Sequence, residues 1–429
     1  MTNLIDKTKK HKESLLVFFG FILSMLHPVM LLLFLISLLL YLKQKIVGSL
    51  KSLLLITTRS IISGHVAIPI SEFQIVKWVL IFLFSIWIIF HFKVENRKDY
   101  KKITNFLFLL IIFSIYVIFS SFFISSFPII SIFKLLSYSI VFASVVIAVA
   151  MTFREFNWIR YFTNLLIPIF IFSFLVIPIA SFRIRNGRTF QGILNHPNLF
   201  GVVSVIFITI LAIDSDYSKK RIKNYSLILL SLIMIYLTES RTAMISVIVV
   251  LLIYFFTSSI NKKYKILFVI SIILTVCIIL LLTPQIYDGV YNLIYGFIYK
   301  GNADNILSSR LGQVNNFTNK FNANRFFGAG FMTPYFPEVK SFEFSFNQLV
   351  EPGNLLFAVL GDTGIIGTVI FLIMLIFILT RMKYDKLILF IVPIIISFGE
   401  MVFFSTNSIA IFLYLFLGIY MFNDRHEEN

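Results

Sequence analysis

Six arginines stand out in this chain because they sit where a membrane protein has no topological reason to carry charge. Arg183, Arg185 and Arg188 crowd one loop, Arg241 stands alone between two apolar runs, and Arg310 and Arg325 lie in one long polar stretch. A guanidinium presents a planar fork that pairs with phosphate oxygens and stays charged when partly desolvated, so such a set suits an anion with several oxygens. Two groups could move a proton beside them. Glu351 falls about one turn before an apolar span, and His196 begins another span as Asn195-His196-Pro197-Asn198. The bland readings stand beside these. The arginines could pair with Asp304, Glu338 or Glu343, Glu351 could be an acid at a helix start, and a lone histidine is more often structural.

The elements that must hold these residues are membrane spans. Hydrophobic residues make up 59% of the 429 residues and charged ones 13%, which excludes a soluble core-and-surface protein. Apolar runs of spanning length recur, and the reading is an all-α polytopic membrane protein with about 12–14 transmembrane helices in one domain, residues 1–429. The clearer spans are Val76–Phe92, Thr104–Ile124, Ile129–Ala150, Tyr161–Ala180, Leu199–Ile213, Tyr225–Thr238, Thr242–Thr257, Ile266–Leu282, Asn354–Thr380, Leu387–Met401 and Ser408–Phe422. Residues 1–75 hold further helices of uncertain topology. His27-Pro28 interrupts the first run, and the run near Arg59 and His65 is either a poor crossing or an interfacial helix. Lys7, Lys9, Lys10 and Lys12 precede an apolar run without a small-residue cleavage pattern, which reads as a retained start.

Charge orients the spans. The formal net charge of +17 arises mostly from lysines in short loops: 93–102, 219–223, 262–265 and 381–386, with Arg154 marking another. The positive-inside rule makes these cytoplasmic and, with one or three crossings before Val76, puts both termini inside. That use of the charge removes the argument for nucleic acid. The outer segments are then 181–198, rich in arginine, and 283–353, the one long stretch not built for lipid.

Within 283–353, Leu311, Val314, Phe317 and Phe321 recur at helical spacing, as in a helix lying flat on the membrane. Gly328 and Gly330 read as a turn that brings the chain back toward the bilayer. Gly361, Gly364 and Gly367 suit close helix packing. Asn198 could cap its span, and Lys134 lies unexplained inside another. Cys277 is the only cysteine, and no His or Asp cluster with metal-ligand spacing is visible.

Four segments in order resemble a known family: Phe190-Gln-Gly-Ile-Leu-Asn-His-Pro-Asn-Leu-Phe-Gly201, Glu239-Ser-Arg-Thr-Ala243, Ser309-Arg310 leading to Gly328-Ala-Gly330, and Asn354-Leu-Leu followed by Gly364-Ile-Ile-Gly367. Together they resemble the O-antigen ligase and polymerase superfamily, most of all its capsular or exopolysaccharide repeat-unit polymerases. That resemblance implies a metal-independent, cofactor-free, inverting glycosyltransferase in a bacterial cytoplasmic membrane, working on an undecaprenyl-diphosphate-linked oligosaccharide. It implies diphosphate contacts at Arg241 and Arg310, with Arg183, Arg185 or Arg188 as further ones. Asn198, Arg325 and Asn354 would then face the acceptor or shape the loop. A chain-length regulator and a flippase of the same pathway are the implied partners. Family ligases often carry a histidine before the Asn-X-Leu stretch; this chain has none there, which leaves Glu351 or His196 as the base. Transfer of finished glycan to another acceptor is the competing enzyme reading. A lipid-oligosaccharide flippase or exporter competes from another class, although the charges gather at one face and no internal repeat is evident.

Overall fold

The computed structural model describes residues 16–184, 189–217, 221–257, 263, 265–266, 311–344, 353–381, 386–400, 402–406 and 408–422. Arg185, Arg188, Arg310, Glu351, Cys277 and the span read at Ile266–Leu282, save Ile266 itself, lie outside them. The fold is that of an all-α polytopic membrane protein, and among the described residues eight helical segments are long and apolar enough to cross a bilayer. Among the described residues the helices are α1 (16–23), α2 (Pro28–Ser37), α3 (Lys45–Ser60), α4 (Gln74–Phe90), α5 (Arg97–Ile124), α6 (Pro128–Thr152) and α7 (Trp158–Leu175). Then follow α8 (Pro197–Tyr217), α9 (Arg221–Thr238), α10 (Arg241–Thr257), α11 (Leu311–Ala323), α12 (Leu355–Leu379), α13 (Leu387–Gly399) and α14 (Ala410–Phe422). The strands among them are a two-residue pair, β1 (Arg183–Ile184) with β2 (Thr189–Phe190), antiparallel.

The N-terminal region resolves into a hairpin. A 3-10 turn, Leu38–Gln44, extends α2, and the backbone then reverses at Lys45 with φ 53° and ψ −132°. Three contacts show that α3 runs back along α2. The Ser52 hydroxyl donates to the Leu38 carbonyl at 3.4 Å, Lys51 Nζ donates to Gln44 Oε1 at 3.2 Å, and Arg59 reaches Ser24 at the far end. Arg59 is fully buried; Nε donates to Ser24 Oγ at 2.9 Å, and Nη2 to the carbonyls of Ser24 and Ile68. A charge at that depth is tolerated because fixed carbonyl dipoles replace water. The turn after α3 is joined to the loop before α8: Ser63 N donates to the Ile193 carbonyl and Asn195 N to that of Ile61. Residues 16–75 are therefore part of the wall around that loop.

α6, α8 and α14 form the centre. α14 is buried along its whole length, and Gly418 brings it against Val149 of α6. Non-helical chain at 402–406 carries Phe403 and Phe404 into the same core, which is allowed at membrane depth because protein surrounds it. Tyr414 donates its hydroxyl to the Phe403 carbonyl at 2.6 Å.

The loop that includes α11 enters the bundle. α12 is broken at Gly364, with φ +66° and ψ −170°, and residues 325–330 are spliced into the gap. Ile365 N and Ile366 N donate to the carbonyls of Arg325 and Phe326; Ala329 N and Gly330 N donate to those of Gly361 and Asp362. The loop thus takes over the two helical bonds that Ile365 and Ile366 would have made to Gly361 and Asp362, and the Thr363 carbonyl accepts from the Tyr116 hydroxyl of α5 at 2.8 Å. Phe331 then inserts among Phe113, Tyr138 and Phe404, and the chain returns past Ser125 and Ser126 at the end of α5. Gly361 and Gly367 of α12 do serve close helix packing, against Phe317 of α11 and Tyr116 of α5, but Gly364 does something else. Gly364 admits the loop backbone, and Gly367 makes room for the Tyr116 ring. The helix read as lying flat on the membrane packs along α12, with Phe317 stacked on Phe357 at 4.6 Å.

Candidate active site at the loop end of the bundle

Three helices begin and one ends at a single place. α8 starts in a His-Pro step that the chain uses twice. Proline suits a first helical turn, and the histidine before it acts as the cap. His196 Nδ1 accepts from Asn198 N at 3.2 Å while its carbonyl accepts from Phe200 N, as His27 Nδ1 accepts from Val29 N at the start of α2. The ring of His196 is exposed and is oriented by this cap.

α10 starts after a tight turn from α9. Glu239 takes a left-handed φ of 54°, and Ser240 caps the helix, its carbonyl accepting from Met244 N and its hydroxyl from Ala243 N. Arg241 is the first residue inside, half-buried. Gly201 of α8 lies against Ser240 and Ala243, where a Cβ would stand 2.7 Å from the Ala243 Cβ. That close approach brings the starts of α8 and α10 together.

α12 starts at Asn354, whose Oδ1 accepts from Leu356 N at 2.9 Å and Phe357 N at 3.2 Å. Its Nδ2 donates to the Phe398 carbonyl at 2.6 Å, one of the last carbonyls of α13 that have no partner within their own helix. α13 closes the group from the opposite direction. Gly399 lies so close to Thr242 that a Cβ there would overlap the threonine side chain. The next residue, Glu400, turns to extended backbone at φ −133°, and its Oε1 accepts from Asn198 Nδ2 at 2.8 Å.

Asn198, Thr242 next to Arg241, and Asn354, drawn from three distant parts of the sequence, therefore gather around the end of α13. Arg241 and Glu400 flank the contact between Thr242 and Gly399. Helix starts carry positive potential from their unpaired amides, and Arg241 adds a full charge, so an anion is favoured here. Glu400 brings a carboxylate to the edge of that field. A site of this kind can hold a departing phosphate and accept a proton from a neighbouring hydroxyl.

Glu400 was not among the residues that sequence reasoning singled out. The signal was present, since it is the one charge within the apolar run Leu387–Met401, and a charge in a span usually lines a functional cavity. Arg325 is elsewhere. It is exposed at the break of α12, ten residues from Asn354 or about 15 Å along a helix, and its carbonyl rather than its side chain is engaged there. Arg183 lies in β1, paired with Phe190, and Phe190 packs edge-on against Phe200 of α8 at 5.5 Å. Among the described residues no three His, Cys, Asp or Glu side chains gather within reach of one ion.

No curated protein matches the chain. Residues 226–372, running from α9 through the loop and the break in α12, match the family model described as O-antigen ligase. Arg241 and Asn354 lie within that match while Asn198 and Glu400 lie outside it, and the match supports a place for this multi-pass membrane protein in the O-antigen ligase superfamily.

Proposed function

We propose that the chain polymerises polysaccharide repeat units at the outer face of the bacterial cytoplasmic membrane. A glycan carried on undecaprenyl diphosphate is transferred to a sugar hydroxyl of a second lipid-linked unit. The acceptor oxygen attacks the anomeric carbon, the bond from that carbon to the phosphate oxygen breaks, and the configuration inverts. Undecaprenyl diphosphate leaves, and the acceptor proton passes to a base.

The observation that carries this reading is the gathering of the starts of α8, α10 and α12 around the end of α13, with Arg241 the first residue of α10. Positive charge fixed in advance, in a setting poor in water, stabilises a diphosphate as its charge develops. Arg310 and the arginines at 183, 185 and 188 are proposed as further contacts to the same group. Lysine-rich loops at the opposite end support the outward orientation, with both termini in the cytoplasm.

The test is a reconstituted assay with lipid-linked repeat units extracted from cells lacking this chain, with a chelator present and products resolved by length. A ladder that Arg241→Ala abolishes is the expected result. No ladder from folded protein overturns the polymerase reading. The family match favours one alternative, transfer of glycan to a different acceptor, and a single product of fixed size would point there.

A further inference from the structure

We infer that Glu400 is the catalytic base, the carboxylate that takes the acceptor proton. This rests on the glycan-transfer reading above and names a residue for its proton-transfer step.

Depth is the first argument. α13 has 13 residues, so it rises about 20 Å against a hydrocarbon core of about 30 Å. The chain then stays buried through Phe403 and Phe404 rather than emerging. Glu400 is half-buried at the end of an apolar run, at the level of the starts of α8, α10 and α12, where an ionisable residue usually has a functional role.

Orientation is the second. Asn198 Nδ2 fixes one carboxylate oxygen at 2.8 Å, and the Asn198 backbone N–H donates to His196 Nδ1 in the helix cap. A carboxylate accepts through both oxygens at about four lone-pair sites, and this bond fixes the orientation of the group. Asn354 steadies the same helix end by binding the carbonyl of Phe398.

Placement is the third. Glu400 and Arg241 stand on antiparallel helices on either side of the Thr242–Gly399 contact. A sugar between them would have its departing diphosphate toward the cation and the incoming hydroxyl toward the carboxylate. The proton leaves the acceptor oxygen for Glu400 as the new glycosidic bond forms, and the electron pair of the old bond leaves with the diphosphate. His196 is less well placed for this, since its Nδ1 is already used as the helix cap.

The experiment compares wild type with Glu400→Gln and Glu400→Asp in lipid nanodiscs. It measures binding of undecaprenyl diphosphate and, separately, transfer from the extracted lipid-linked units across pH. Glutamine keeps an oxygen for Asn198 and cannot take a proton. Glu400→Gln should bind undecaprenyl diphosphate as wild type does, while kcat falls about 10²–10⁴-fold, the usual contribution of a general base. The acidic limb of the kcat profile should vanish with it, and Glu400→Asp should recover part of the rate with that limb intact. Wild-type transfer by Glu400→Gln overturns the proposal, and so does a parallel loss of binding and transfer, which would make Glu400 a structural partner of Asn198. If wild type neither binds undecaprenyl diphosphate nor transfers glycan, the function proposed above fails and this assignment fails with it.

Discussion

Gly328 and Gly364 meet backbone to backbone: a Cβ on Gly364 would stand 2.6 Å from the amide nitrogen of Gly328, and one on Gly328 would stand 2.3 Å from the Asp362 carbonyl oxygen. Both residues have positive φ, +77° and +66°. This crossing lets a polar loop pass through a membrane helix with its backbone hydrogen bonds made.

Alanine at Gly364 should therefore be poorly tolerated. The left-handed backbone alone costs about 1–3 kcal/mol for a residue with a side chain, and the Phe326 carbonyl oxygen, 2.4 Å from the new Cβ, must also move. Thermal unfolding in detergent should show a lower Tm for Gly364→Ala and Gly328→Ala. Gly312 of α11 meets nothing within 4 Å, so Gly312→Ala should be neutral or gain up to about 1 kcal/mol in helix propensity. Equal Tm values for all three variants would contradict the splice.

Lys320 and Asp362 form a buried ion pair that ties α11 to α12. Lys320 Nζ donates to Asp362 Oδ1, and Asp362 Oδ2 accepts from Met332 N at 2.7 Å. Lys320→Met alone strands a buried carboxylate and should cost about 3–5 kcal/mol. Adding Asp362→Leu should recover most of that stability, with the Met332 amide and the Gly330 carbonyl each losing a partner. A double variant no better than the single one would show that the loop needs the charges themselves.

Arg59→Leu should destabilise the N-terminal hairpin. It removes the donors to Ser24 and Ile68, and each buried carbonyl left unsatisfied costs about 1–3 kcal/mol. Because Ile61–Ser63 pairs with Ile193–Asn195, transfer activity should fall too, although Arg59 is remote from the site. Proteolysis in the 61–69 turn, compared between wild type and variant, reads the first effect directly.

Asn354 does two jobs that can be separated. Asn354→Ala loses the cap, worth about 1 kcal/mol, and the bond to Phe398. Asn354→Asp keeps the cap but cannot donate to the Phe398 carbonyl. If the helix end before Glu400 matters for chemistry, Asn354→Asp should keep near-wild-type Tm and still lose transfer rate. Unchanged rate in both variants would remove Asn354 from the site.

The existence of many spans and an all-α polytopic fold were legible in the residues, although eight candidate spans are found among the described residues where the sequence reads as about 12–14. Bilayer thickness and the desolvation of backbone leave a chain this apolar few other forms. Arg241, Asn198 and Asn354 were legible for the same reason, as polar residues at the ends of apolar runs. Glu400 was in plain view as a charge in a span, but nothing local says that α13 ends beside α8 rather than elsewhere. Only packing brought Gly399 against Thr242 and Asn198 within 2.8 Å of Glu400. Tertiary structure also turned one glycine of α12, Gly364, from a packing position into a break filled by another segment. A helix pattern reports the period of side chains, whereas a backbone hydrogen bond between residues 325 and 365 leaves no mark on that period.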